Sequence, residues 1–224
     1  MLLEDVWHFA EDKVFPVQSG TSIFNAYRDQ AADLDVTGAA AIRRCNLRRW
    51  LESFSERPRL LVLGKAASST GFRFSGVPFV SEAQLVLPGS SFSVTPTSRR
   101  SAMGKPYGSG HDTRFWNVMQ TYAGSGYPRF LPWNCVPFYL PGETTLKARE
   151  VSDSELARYA QLAAELYEVL RPEIVVALGE PTQRALRTVR VPHRPVHAVR
   201  PDPRNEFDKG MARVMLPLLA RGLR

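Results

Sequence analysis

Ile174-Val175-Val176-Ala177-Leu178-Gly179 is an unbroken apolar run closed by a glycine, and its reading decides the fold. Consecutive apolar residues leave no polar face, so the run fits a strand covered on both sides, as in a parallel sheet. Gly179 permits a tight turn into a helix expected around Thr182 to Val189. Upstream, Ser152 and Glu155 have capping-box spacing ahead of Leu156, Tyr159, Ala163, Leu166, Tyr167 and Leu170, which recur every three or four positions. Arg171-Pro172 ends that helix. Leu60-Leu61-Val62-Leu63-Gly64 repeats the pattern of apolar run and glycine, Trp133-Asn134-Cys135-Val136 reads as a strand ending at Pro137, and Pro195 to Val199 reads as the last strand. Asn205, with Asp208 three residues on, reads as the cap of a final helix. Strands alternating with helices at short separation predict an α/β three-layer sandwich, with a central, mainly parallel four-stranded sheet flanked by helices. In such a sheet the loops at the strand ends converge on one crevice, which gathers Lys65 to Phe79, Asn134 to Phe138, Gly179 and Arg200 to Asn205.

The length of 224 residues suits one domain spanning 1–224, with a peripheral helical region over 1–55 that Pro16 and Gly20 interrupt. In that region Arg43, Arg44, Arg48 and Arg49 are expected to form a solvated basic face, with direct contact to phosphate as the alternative. The net charge of +7, carried more by Arg than by Lys, suits a polyanionic partner, because guanidinium forks grip phosphates bidentately. No apolar stretch approaches membrane-spanning length, and the first residues lack a basic segment followed by an apolar one, so a cytoplasmic protein without a membrane partner is expected. Cys45 and Cys135 form no CxxC pair, and Cys135 in its apolar run reads as a buried, reduced thiol. His193 and His197 flank a strand with no third ligand at metal spacing, so no metal and no other cofactor is expected. Pro88 to Asp112 reads as a long polar loop.

Four segments in order resemble the uracil-DNA glycosylase superfamily. Gly64 opens a loop leading to Gly76-Val77-Pro78-Phe79, where such enzymes carry the Phe that stacks on an extruded base. Asn134 with Cys135-Val136-Pro137 is similar to the strand-end Asn that reads the uracil edge. Arg171 to Gly179 resembles a segment of the bacterial iron-sulphur branch, and Arg200-Pro201-Asp202-Pro203-Arg204-Asn205 resembles the catalytic and wedge motif of the single-strand-selective branch. The likeness extends from Leu60 to Gly210. It departs from the family at three points. No carboxylate follows the first core strand, where the chain reads Gly64-Lys65-Ala66-Ala67-Ser68-Ser69; Arg200 stands where the family has His; and two cysteines cannot supply the four ligands of an iron-sulphur cluster.

The resemblance implies a monofunctional glycosylase that hydrolyses the N-glycosidic bond of uracil in DNA to leave an abasic site, acting as a monomer on DNA containing uracil or abasic sites. A catalytically weak or inactive protein that binds uracil or abasic DNA is the alternative. Arg200 would stabilise the departing uracil anion, and Ser68 or Ser69 would hold the water. Phe79, Asn134 and Ala66 would form the base pocket, with Phe79 as ordinary core and Asn134 as a satisfier of buried backbone as the plainer readings. Lys65 would attract phosphate or form a Schiff base with the sugar. Ser90, Ser91 and the Gly179 turn would donate to phosphates, Arg204 would wedge into the duplex and Asn205 would stand beside it. Glu82, Asp112 and Glu143 are candidates for a replacement carboxylate, with His111-Asp112 as a pair that could hold and orient the water.

Overall fold

The computed structural model describes residues 3–86, 104–123, 130–143, 146–201 and 203–220; Ser90 and Ser91 lie outside the described residues. The chain opens with α1 (Glu4–Phe9), which runs into a π-helical turn over Ala10–Val14, and continues through α2 (Ala39–Glu52), β1 (Leu60–Ala66), α3 (Phe72–Ser75) and α4 (Glu82–Val86). It then forms α5 (Gly110–Ala123), β2 (Phe130–Val136), α6 (Asp153–Leu170), β3 (Ile174–Leu178), α7 (Glu180–Thr188), β4 (Arg194–Val196) and α8 (Glu206–Ala220). The four strands form one sheet in the order β2-β1-β3-β4, with every neighbouring pair parallel. The sheet is flanked by helices, as the alternating pattern predicts. α6 and α7 pack on each other and against β1, and α8 packs against β4 and α5.

The two central strands are nearly continuous apolar runs because both faces are covered: Leu60, Leu61, Val62 and Leu63 are all buried, as are Val175, Val176, Ala177 and Leu178. Each buried Leu or Val contributes about 1.5–3 kcal/mol relative to exposure. α6 begins as its spacing predicts, with a complete capping box between Ser152 and Glu155, and stops at Arg171, which takes φ +47° just before Pro172.

Two elements differ from the sequence expectation. The helix α5 occupies the end of the stretch read as a polar loop. Ser109 caps it, its hydroxyl accepting from the Asp112 N–H at 3.2 Å, and Phe115, Trp116 and Met119 fall on one side and are fully buried. The other is the N-terminal basic cluster. Arg43 is not on a solvated face but wholly buried, 2.5 Å from Asp35. Asp35 also receives both terminal nitrogens of Arg73, at 2.7 and 3.3 Å, and the Ala31 N–H at 2.9 Å. Burial alone would raise the Asp35 pKa, but its hydrogen bonds and the Arg43 charge hold it below the ordinary carboxylate range. The Arg73 guanidinium is sandwiched between the rings of Phe24 and Phe74, 4.5 and 4.4 Å from their centroids.

The N-terminal region thereby grips the segment after β1. The Tyr27 hydroxyl donates to the Gly76 carbonyl at 2.6 Å, and the Asn46 amide donates to that of Ser75 at 2.9 Å. Those contacts fix where the chain enters Val77-Pro78-Phe79.

Candidate functional site

At the carboxyl ends of β1 and β2 the parallel register sets Gly64 beside Asn134. A cleft of about 580 Å³ opens there, and Gly64, Lys65, Ala66, Ser68, Ser69, Phe79, Asn134 and Arg200 all border it. The structure therefore brings together eight residues from four separate segments of sequence, as expected of strand-end loops in an open parallel sheet.

The floor of the cleft is shaped by a missing side chain. A Cβ on Gly64 would lie 2.5 Å from Phe79 Cζ and 2.9 Å from Asn134 Oδ1, so ring and amide both close over the glycine. Phe79 is held there at φ +59°, a left-handed conformation that costs a bulky side chain about 1–3 kcal/mol. Its surroundings enforce it: the Trp116 indole N–H donates to the Phe79 carbonyl at 2.8 Å, and the Phe79 ring packs on Phe115 with centroids 4.6 Å apart. Strain kept at a cleft wall by buried tryptophan and phenylalanine marks a surface whose orientation matters. Asn134 is nearly buried, yet its amide has no hydrogen-bond partner among the described residues. It therefore does not serve to satisfy strand-end backbone, and its donor and acceptor remain available to a ligand.

The rim carries charge of both signs. Lys65 ion-pairs with the exposed Glu150, and Arg200 borders the cleft while open to solvent. An exposed pair of this kind is worth about 0–1 kcal/mol, so a phosphate can displace Glu150 at little cost.

Of the three candidate carboxylates, the fold brings only Asp112 to the cleft. Glu82, the first residue of α4, is fully buried and accepts from the Tyr107 N–H at 3.4 Å, and Glu143 is exposed beside Lys147. Asp112 projects from the first turn of α5, 2% exposed, with Oδ2 lacking a hydrogen-bond partner among the described residues. Burial pushes its pKa up to about 7, and the Ser109 hydroxyl opposes that rise only in part. The neighbouring His111 has its pKa lowered by desolvation, against a hydrogen bond with the Val199 backbone.

A group protonated at about pH 7 when folded and at its ordinary 3.8 when unfolded makes stability fall as pH rises between those values. The loss is complete above pH 7, where the folded protein must hold a buried anion. Asp112→Asn is accordingly expected to melt higher than the parent, by about 2–4 kcal/mol in stability at pH 8 and by little at pH 4. Thermal melts at the two pH values check this; an advantage that does not grow with pH would mean the carboxyl is solvated.

Three expected contributors stand elsewhere. Gly179 borders a different cavity, of about 630 Å³, between β4 and α8, and its own N–H donates to the Val196 carbonyl at 2.8 Å. That donor is spent on the sheet, so within the Gly179 turn expected to meet phosphate the glycine's own N–H is not available. This second cavity is slightly the larger, but its most buried polar side chain, Gln183, already donates to the Ala177 and Val196 carbonyls. Among the described residues no buried, unsatisfied side chain borders that cavity. Arg204 is exposed on the turn before α8, and Asn205, at φ +52°, accepts from Arg114 through its side-chain oxygen instead of capping the helix.

No family model matches the chain, and no curated protein matches it. Among solved structures, the crystal structure of wild-type SMUG2 from Pedobacter heparinus superposes with a TM-score of 0.61 at 15% sequence identity, covering 99% of this chain and 98% of that one. The likeness is one of fold: the two chains share this architecture of a parallel four-stranded sheet flanked by helices over nearly their whole lengths.

Proposed function

We propose that this chain is a monofunctional DNA glycosylase that hydrolyses the N-glycosidic bond of uracil in DNA and leaves an abasic site. The observation that carries the reading is the slot over Gly64, with the Phe79 ring on one side and the unpartnered Asn134 amide on the other. A flat pyrimidine swung out of the base stack would rest against Phe79. The amide N–H would meet uracil O4 and the amide oxygen would meet N3–H; cytosine would need the amide turned over. Arg200 at the cleft edge supports the chemistry, because a permanent cation near the departing base stabilises the negative charge that bond breaking puts on it. Arg204, on the exposed turn just beyond, is suited to enter the space that the base vacates.

The test is single-turnover release of uracil from an oligonucleotide containing one uracil, with Asn134→Ala beside the parent. The variant is expected to lose about two orders of magnitude in excision while binding uracil-free DNA within about threefold of the parent. Retained excision would remove Asn134 from the recognition role. A parent protein that holds uracil or abasic DNA selectively but releases no base would instead be a lesion-binding protein.

A further inference from the structure

We propose that Asp112, reaching the cleft from the first turn of α5, holds and deprotonates the hydrolytic water together with Ser68, in place of the carboxylate that the loop after β1 lacks. The inference rests on the glycosylase reading and deepens it. Asp112 Oδ2 is buried and unpartnered among the described residues, a state that polar atoms rarely keep unless a water or ligand completes them. It points at the Cα of Gly71, where a Cβ would lie 1.9 Å from Oδ2 and 2.4 Å from Ser68 Oγ. Two oxygens from distant parts of the chain thus pack against the same glycine, near enough to each other for one water to bridge them, and both border the cleft that holds Asn134 and Phe79.

The hydrogen bonding assigns the roles. Ser68 Oγ accepts from the Phe72 N–H at 3.0 Å, which leaves its own proton free to donate to a water. That water can then donate one hydrogen to Asp112 Oδ2 and turn a lone pair toward the sugar. In the reaction the C1′–N1 bond breaks and its electron pair passes to uracil N1, the charge spreading onto O2 on the side of Arg200. The water oxygen forms the new bond to C1′, and its proton passes to Asp112. The uracil anion takes a proton from solvent as Asp112 returns one, so the sum is hydrolysis by one water. Before attack, the Asp112 anion also faces the positive charge developing on the sugar. Glu150, the other carboxylate at the cleft, is exposed and bound to Lys65, so it is not poised for this task. The charged and titratable groups that line the cleft with Asp112 are His111 on its own turn, Lys65, Glu150 and Arg200.

The experiment follows single-turnover excision from a single-stranded oligonucleotide containing one uracil, between pH 5.5 and 9, for the parent, Asp112→Asn and Gly71→Ala. The parent rate is expected to rise with pH and level off through a limb near pH 7. Asp112→Asn is expected to bind the oligonucleotide within about threefold of the parent, to excise at least about a hundredfold more slowly, and to lose the limb. Gly71→Ala keeps the carboxyl, but its methyl would collide with both Oδ2 and Ser68 Oγ and push the two oxygens out of place, and a comparable loss is expected from it. If Asp112→Asn excises within threefold of the parent, or keeps the limb, the role of Asp112 is overturned while the glycosylase reading stands. A parent that releases no uracil at any pH overturns the glycosylase reading, and this role with it.

Discussion

Replacing Asp35 with alanine is expected to destabilise the protein by about 3–5 kcal/mol, more than the loss of any surface ion pair. The carboxylate is the shared counter-ion of Arg43 and Arg73, and all three side chains are 4% exposed or less. Alanine would leave two guanidiniums in a dry interior with backbone carbonyls and aromatic faces for company. Arg48–Glu52 gives the contrast: it is exposed, solvated and worth a few tenths of a kcal/mol. Because the buried cluster is shielded from mobile ions, the loss from Asp35→Ala should hardly change with added salt, whereas surface pairs weaken. Urea melts at two salt concentrations check both points. A loss below 1 kcal/mol would show that the nearby Glu82 carboxylate takes over as counter-ion.

Gly64→Ala is expected to abolish most excision, by at least about a hundredfold, while leaving the protein folded. The added methyl would sit 2.5 Å from Phe79 Cζ, 3.1 Å from Cε2 and 2.9 Å from Asn134 Oδ1, so both walls of the slot must move. Displacements near 1 Å at a reacting centre typically cost about two orders of magnitude in rate. The strand itself tolerates the change, because alanine suits a strand interior better than glycine. Single-turnover excision beside a thermal melt separates the outcomes. Normal excision would mean that Phe79 swings away from Gly64 in solution and that the slot is not the base site.

Three strands of the sheet were legible in the sequence because they are apolar runs with a glycine or proline at or near their ends, whereas β4 is the short Arg194–Val196, exposed at Arg194 and Pro195, and not the span from Pro195 to Val199 that the sequence suggests. The slot was legible in part. Gly64, Phe79 and Asn134 stand where a strand-end crevice puts them, but the left-handed backbone of Phe79 depends on Trp116 and Phe115, which belong to an element the sequence reading passed over. Ser109 as a cap, followed by Phe115, Trp116 and Met119 at helical spacing, was the available signal for α5. It was masked by the glycines and serines just before it. The role of Arg43 was invisible for a different reason: its neighbours Arg44, Arg48 and Arg49 belong with a surface, and only the tertiary placement of Asp35 and Arg73 turns one member of the run inward. Asp112 could be named as one carboxylate among three, but choosing it required knowing that α5 packs its first turn against Gly71.

The strand order also governs how the chain comes together during synthesis. β1 is central, yet both of its partners are made later: Leu60 pairs with Phe130 on one side and with Ile174 on the other. At about 5–20 residues per second, this central strand leaves the ribosome on the order of ten seconds before its second edge can be covered. Throughout that interval Leu60-Leu61-Val62-Leu63 offers an unpaired, hydrophobic template to other nascent chains. Aggregation on overexpression should therefore depend on translation speed and chaperone supply more than on the stability of the finished protein, and slower growth at lower temperature should raise soluble yield.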